Sequence, residues 1–317
     1  MTRNPRTALA AGLAGVLAGA ALAVPAAAAP PGAGTAAAPY LYLGWDSPPD
    51  PVAVMRATGI TRYTMAFVLA QNGCNPAWDG QRPLAGGADA RAIAAIRAAG
   101  GDVIPSFGGW SGSKLGTNCR TPEALAAAYQ KVIDEYRLTA IDLDIENDDE
   151  LNHLPNQDRI IAAVGIVKQK NPGIRVVVTL PTFRSGLSAP GKHLVENAKA
   201  TGVDIDVYTI MPFNFGCTGG LDMYDCTVES TEALRATLRG VFGWTDQQAY
   251  ARMGISGMNG ASDNKEVTTP AQWTRIRDWA RGKGLARFTY WAINRDRSGS
   301  SGTPQADWEF ARITAGF

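Results

Sequence analysis

The sequence predicts an α/β chain folded as a single (β/α)8 TIM barrel, on three observations. Short runs rich in β-branched and aromatic residues alternate eight times with segments of helical spacing. The alternation fills about 280 residues without a dividing linker, the size at which one such barrel closes. No G-x-G-x-x-G or G-x-x-x-x-G-K-[ST] loop follows any strand, which argues against the runner-up, a doubly wound open sheet.

The elements follow in order. Residues 40–45 (YLYLGW) read as the first strand, and Pro51 opens a short helix that Gly59 stops. Residues 63–69 (YTMAFVL) form the second strand, leading to a polar loop with Cys74, Trp78 and Asp79. Helical spacing of Ala, Ile and Arg over 88–99 ends at Gly100-Gly101. The third strand, 103–107, runs into Gly108-Gly109-Trp110. Thr121-Pro122-Glu123 is a helix start: a threonine cap, proline in the first turn and glutamate at the positive end of the dipole. That helix runs through Tyr136 and delivers the chain to a fourth, acidic strand over 139–147. Afterwards come a helix over 156–169, a strand over 174–180 (IRVVVTL), a helix over 191–200 and a strand over 205–211 (IDVYTIM). A helix over 231–242, a weaker strand over 253–258, a capped helix from Thr269-Pro270 through Ala280, a strand over 288–293 (FTYWAI) and a helix over 308–313 complete the chain.

The 317 residues are 45% hydrophobic, ample for a large core. A formal net charge of +1 offers no field for nucleic acid or an anionic membrane. Arg3 and Arg6 precede an Ala/Leu/Val/Gly run from about residue 8 to 24, then Pro25 and an alanine tract. This pattern predicts a secretory signal over 1–29, a linker over 30–38, and the barrel over 39–317. A transmembrane anchor is the rival, but the apolar run is short and alanine-rich. The expected mature chain is extracellular, without a membrane partner and monomeric by default. Loss of the two arginines moves its formal charge from +1 to −1. Four cysteines suit an oxidising compartment and read as two disulfides. Cys217 and Cys226 enclose a short glycine-rich loop and are expected to pair, leaving Cys74 with Cys119. The absence of any C-x-x-C, with His153 and His193 far from the cysteines, argues against zinc.

The acidic strand carries the chemistry. In Thr139-Ala140-Ile141-Asp142-Leu143-Asp144-Ile145-Glu146-Asn147, carboxylates stand at every second position. Alternate side chains of a strand share a face, so Asp142, Asp144 and Glu146 gather on one side and the aliphatics on the other. Like charges so placed perturb one another, as at functional sites; the bland alternative is an edge strand with a solvated acidic face. Following an amphipathic helix, with an apolar second face, the strand suits the centre of a parallel sheet. A calcium loop would need glycine at its sixth position and polar residues where Leu143 and Ile145 stand. A two-metal phosphotransfer site would draw further His or Asp ligands from other strands. Glycoside hydrolysis needs a protonated carboxyl close to a second carboxylate, and this strand has both. The other strand ends contribute Trp45, Trp110, Asn214, Asn259, Trp291 and Asn294, a set suited to stacking on sugar rings and bonding their hydroxyls.

At these residues the chain resembles the family 18 glycoside hydrolases, the chitinases, and within them small secreted actinobacterial members. Asp142-x-Asp144-x-Glu146 is similar to their D-x-D-x-E signature, and Ser106-Phe107-Gly108-Gly109 to their S-x-G-G element. Met211-Pro212-Phe213-Asn214 resembles their M-x-Y-[DN] element, and Tyr290 to Asn294 their terminal tryptophan strand. The resemblance implies a retaining, substrate-assisted mechanism with no cofactor. Glu146 would be general acid and then base, Asp144 would hold the acetamido N–H, and Asp142 would share a proton with Asp144. Trp291 would form the floor, with Gly108, Met211, Phe213, Asn214, Asn259, Trp45 and Trp110 lining the cleft. The implied substrate is chitin, a chito-oligosaccharide or the chitobiose core of an N-glycan. Three positions depart from the family: Thr139-Ala140 replaces Asp-Gly, Ile145 a common tryptophan, and Phe213 a tyrosine. Tyr208 or Asn214 is expected to supply the hydrogen bond that Phe213 lacks. An endo-β-N-acetylglucosaminidase and a non-catalytic chitin-binding protein are the alternatives; the latter typically lacks the acid that Glu146 retains.

Overall fold

The structure, a computed structural model, describes residues 1–2, 36–45 and 47–317. The expected signal segment and most of the expected linker lie outside the described residues. The chain divides into two compact units, Met1–Pro30 and Pro31–Phe317. The second contains every described element. They are, in order, β1 (Tyr40–Tyr42), α1 (Pro51–Thr58), β2 (Arg62–Gln71), β3 (Asn75–Trp78), α2 (Ala88–Ala98), β4 (Asp102–Gly108), α3 (Leu115–Asn118) and α4 (Pro122–Tyr136). Then come β5 (Ala140–Asp144), a π-helical turn over Asn147–Leu151, α5 (Leu154–Lys170), β6 (Arg175–Pro181), α6 (Ala189–Thr201), β7 (Val207–Met211), α7 (Met223–Phe242) and α8 (Asp246–Tyr250). The last are β8 (Met253–Met258), β9 (Gly260–Ala261), β10 (Val267–Thr268), α9 (Pro270–Lys283), β11 (Arg287–Trp291), a 3₁₀ turn over Ile293–Arg295 and α10 (Glu309–Ala315).

Eight parallel strands run β1-β2-β4-β5-β6-β7-β8-β11. A parallel bridge from Ala37 to Phe288, with Phe288 N–H donating to Ala36 at 2.8 Å, joins the first strand to the last. The predicted barrel is therefore present, nearly closed. Helix starts follow their caps. The Thr121 hydroxyl accepts from Ala124 N–H at 3.2 Å, and Thr269 with Gln272 forms a reciprocal capping box.

Two layers of different chemistry meet at the strands. Outward side chains of β5 and β6, including Ile141, Leu143, Val176 and Val178, pack with Leu125, Val132, Ile160 and Val164 of α4 and α5. Burying each such side chain contributes about 1.5–3 kcal/mol. Inside the barrel, above apolar residues such as Ile104, Ala140, Val177 and Val207, lies a polar set: Ser106, Asp142, Thr179, Thr209, Ser256 and Thr289 are all buried. Arg287 on β11 reaches across to the Thr64 hydroxyl on β2 at 2.5 Å.

Differences from the sequence expectation are local. α7 begins at Met223, capped by Asp222, eight residues before the expected start. β3 folds back antiparallel on β2, with Pro76 tolerated at the sheet edge. β3, like α3, α8 and the β9–β10 ribbon, is too short to show a period. The disulfides are Cys74–Cys119 and Cys217–Cys226, the expected pairing. Among the described residues, no helix is long and apolar enough to cross a membrane.

Candidate active site

The polar interior concentrates on Asp142. Its Oδ2 accepts from Tyr40 Oη at 2.9 Å and Ser106 Oγ at 2.6 Å, and its Oδ1 from Thr179 Oγ1 at 2.8 Å. These hydroxyls come from β1, β4 and β6, so the carboxylate ties three strands together inside the barrel. Such charge-assisted bonds are each worth about 1.5–3 kcal/mol. Sequence reasoning expected Asp142 to share a proton with Asp144. Both Asp142 oxygens accept from hydroxyls, and its charge helps to push the Asp144 carboxyl up.

Asp144 ends β5, buried, with no hydrogen-bond partner for Oδ1. Burial pushes its carboxyl well above the ordinary range; negative charge at Glu146, Asp142 and Glu150 pushes the same way, and Lys114 opposes. Glu146 follows at the strand's carboxyl end, where burial pushes it up to about 7 while Lys114 pulls it down. A carboxyl titrating there is protonated often enough at neutral pH to donate, and acidic enough to do so readily.

Two partners of this cluster carried no sequence signal. Glu150, in the π-helical turn, is buried between Gly108 and Gly116, and burial pushes its carboxyl up to about 8. Lys114, in the loop after β4, is 2% exposed and is the cation that all three raised carboxyls feel. Its Nζ lies 3.4 Å from Trp110 O and 3.5 Å from Asp149 Oδ2. Both residues read as surface charges in sequence; only the fold turns them inward. Among the described residues, no group of three or more His, Cys, Asp or Glu is arranged to hold a metal ion.

Gly108 is required by its backbone. With φ at +103°, any Cβ would lie 2.2 Å from the Asp144 carbonyl, which accepts from Gly109 N–H at 2.8 Å. Above it the mouth is aromatic. Trp291, last in β11, stacks on Phe67 at 5.5 Å and 13°, with Trp45 edge-on at 5.3 Å. Asn294 fixes this corner, exchanging bonds of 3.0 and 2.7 Å with the Tyr42 backbone. Phe67 reads in the sequence as an ordinary strand residue, with no signal of a place in the mouth. Trp45 and Trp110 are 41% and 69% exposed, as is Phe183 beyond β6 at 57%. Large apolar groups open to solvent thus gather at the carboxyl ends of the strands.

On the opposite wall stand Met211, buried, and Phe213, half-buried. Asn214 is exposed and bonds Asp263 Oδ2 and Asn264 N–H, both at 3.0 Å. Glu266, also unmarked in sequence, holds this wall by accepting from the N–H groups of Phe215, Gly216 and Cys217 at 2.8–3.1 Å.

Two expected cleft residues lie elsewhere. Tyr208 is the second residue of β7, at the amino end of the barrel, and packs outward near Phe242 with ring centroids 6.0 Å apart. Strand periodicity sends it to the helix layer, so it cannot replace the hydroxyl that Phe213 lacks. Asn259 is 1% exposed and brackets Trp291 from beneath: its N–H donates to Trp291 O at 3.2 Å, and its Oδ1 accepts from Ala292 N–H at 3.0 Å. It supports the tryptophan instead of lining the cleft.

No family model matches the chain. A probable bifunctional chitinase/lysozyme of Escherichia coli (strain K12) is 27% identical over 279 residues, 83% of this chain and 31% of that protein. Endochitinase 11 of Metarhizium anisopliae is 27% identical over 275 residues, 82% of this chain and 52% of that one. The chain thus spans about a third to a half of the curated relatives it matches. The catalytic domain of a hyperthermophilic chitinase from Pyrococcus furiosus superposes with a TM-score of 0.80 at 28% identity, covering 88% of this chain and 93% of that domain. A GH18 chitinase from Pseudoalteromonas aurantia, at 12% identity and TM-score 0.60, shares the fold. These sequence relatives and solved structures, to which this chain is similar, are chitinases.

Proposed function

We propose that this chain is a secreted chitinase of the small actinobacterial type, cutting β-1,4 bonds between N-acetylglucosamine units with retention and assistance from the substrate. The observation that carries the reading is Glu146, whose carboxyl burial pushes up to about 7 just beyond the end of β5, beside the buried Asp144. Glu146 gives its proton to the glycosidic oxygen as the bond to C1 breaks. The acetamido oxygen of the same sugar forms the new bond to C1, giving an oxazolinium ion. Asp144, short of a partner at Oδ1, accepts the acetamido N–H there and so orients the acetamide oxygen towards C1. Water then attacks C1 and gives a proton to Glu146 as the C1–O bond of the oxazolinium ion breaks and the acetamide is restored, so two inversions give net retention. Complexes of Pyrococcus furiosus chitinase-domain mutants with chito-oligosaccharides support this substrate class. The Arg3/Arg6 and alanine-rich N-terminus supports export.

The test is Glu146→Gln, assayed on chitohexaose beside a high-mannose glycoprotein. Chitohexaose should be cleaved by wild type alone, while the variant still binds it. Equal release by both proteins refutes the role of Glu146. Deglycosylation without chitohexaose cleavage refutes the chitinase reading.

A further inference from the structure

Glu150 is a buried acid that the proposed hydrolysis does not use, and it stands in the turn that follows the acid it does use. The π-helical turn starts on Glu146 itself: Glu146 O accepts from Leu151 N–H at 3.4 Å, and Asn147 bends the chain with φ at +62°. Three side chains fasten this turn to its surroundings. Asn147 Nδ2 donates to Trp110 O, and Asn156 Nδ2 on α5 donates to Asp149 O at 2.7 Å. The third is Glu150, whose carboxyl is keyed into a slot between Gly108 and Gly116. A Cβ on Gly116 would collide with Oε1, and one on Gly108 would lie 3.3 Å from Oε2, so glycine at both positions makes room for the carboxyl. Gly108 is also the register partner of Asp144, so the slot opens against the strand that carries the acids.

The slot suits a neutral carboxyl and not a carboxylate. Glu150 shares with Phe107, Leu115, Leu143, Ile145 and Ile160 the walls of an enclosed space of about 10 Å³, room for one water at most. From the loop after β4, Lys114 favours the charged form. Its Nζ lies 3.5 Å from Asp149 Oδ2, however, with no second carboxylate in ion-pair range among the described residues. Asp149 on the same turn and Asp144 at the end of β5 are like charges. From the helices, α4 contributes the buried Tyr129, and α5 commits Arg159 to Gly116 O at 2.7 Å. An ionised Glu150 would thus be poorly hydrated and without a contact cation, and burial pushes its carboxyl up to about 8. Once ionised, it gains more from water than from the slot.

We propose that Glu150 is a positioning residue for this site: protonated, it keys the turn into the Gly108–Gly116 slot and holds Glu146 in place; ionised, it withdraws to solvent and takes the turn with it. The reaction then needs two protons, one on Glu146 to give and one on Glu150 to keep. The catalytic consequence rests on the reading of Glu146 as the acid, whereas the movement of the turn does not.

Two measurements test this, and they fail separately. The first is kcat/KM against pH on a fluorogenic chito-oligosaccharide, with circular dichroism confirming a folded barrel at each pH. Above about pH 8 the wild-type limb should steepen from about tenfold to about a hundredfold per pH unit, while Glu150→Gln, which cannot ionise, keeps the tenfold slope. Between about pH 7 and 9, wild type should therefore lose about tenfold more activity than the variant. A wild-type slope that stays at tenfold overturns the proposal, whether or not the variant folds. So does a Glu150→Gln limb that falls sooner than that of wild type, the result if ionised Glu150 only props up the proton of Glu146. The second measurement follows Trp110, whose carbonyl holds Asn147, by fluorine NMR of fluorotryptophan-labelled Glu146→Gln protein, with the resonance assigned by its loss in Trp110→Phe. It should titrate near pH 8 and cease to do so when Glu150→Gln is added. A Trp110 resonance that stays fixed, or titrates equally in the double variant, overturns the movement of the turn. A wild type that leaves chito-oligosaccharides intact refutes the hydrolysis, and the Trp110 titration still decides whether Glu150 holds the turn.

Discussion

Lys114→Met is the sharpest test of the electrostatics. In the proposed mechanism the group behind the descending limb is Glu146, pushed by burial from near 4.5 to about 7, a difference worth about 3 kcal/mol between its protonation states. Lys114 works against that push from its buried position in the loop after β4. A unit charge acting over roughly 8 Å at an effective dielectric of about 20 is worth about 2 kcal/mol, or about 1.5 pH units. The cation favours the carboxylate, so removing it keeps Glu146 protonated to higher pH. Plotted as kcat/KM against pH on a fluorogenic chito-oligosaccharide, wild-type activity should fall above about pH 7. The descending limb of Lys114→Met should lie about one pH unit or more higher, while Lys114→Arg restores the wild-type limb. Urea unfolding of each variant confirms a folded barrel. A limb that stays fixed, or moves down, in folded Lys114→Met refutes the reasoning.

Other outcomes follow from the same cluster and its supports. Ser106→Ala removes the 2.6 Å bond to Asp142 and should lower unfolding free energy by about 1.5–3 kcal/mol; a loss under about 0.5 kcal/mol would mean Tyr40 and Thr179 suffice. Glu150, pushed up to about 8, binds its proton more tightly in the folded chain, so its stabilising contribution is whole below pH 4.5 and fades as pH rises through 8. Glu150→Gln cannot ionise and should therefore gain on wild type in urea titrations as pH rises from 5 to 9, by up to about 5 kcal/mol; a gap constant with pH refutes a neutral Glu150. Loop closure makes the Cys74–Cys119 bridge, 45 residues apart, worth about 4 kcal/mol, and Cys217–Cys226, 9 apart, about 2.5 kcal/mol. Paired Cys→Ser variants compared by thermal unfolding should rank in that order.

What the sequence determined by itself was everything carried by period and local chemistry. Eight alternations gave the barrel because strand and helix periods differ, and caps such as Thr121 and Thr269 act within one turn of the chain. The two-residue repeat placed Asp142 and Asp144 on the inner face and Ile141 and Leu143 in the helix layer without reference to any distant residue. The same rule, applied from the start of β7, would have sent Tyr208 outward to the amino end.

The tertiary structure alone decided which distant groups meet. Asp142 is anchored by Tyr40, Ser106 and Thr179, residues 102, 36 and 37 positions away, and nothing local marks three hydroxyls as belonging to one carboxylate. Lys114 and Glu150 look like surface charges until the β4 loop and the π-helical turn fold behind the acidic strand. There burial, which no local pattern encodes, raises Glu150 and makes Lys114 a counter-charge. Proton affinity depends on solvent exclusion and on charges brought together through space. The strand could therefore name its carboxyls, but only the closed barrel could give Glu146 a proton to donate near neutral pH.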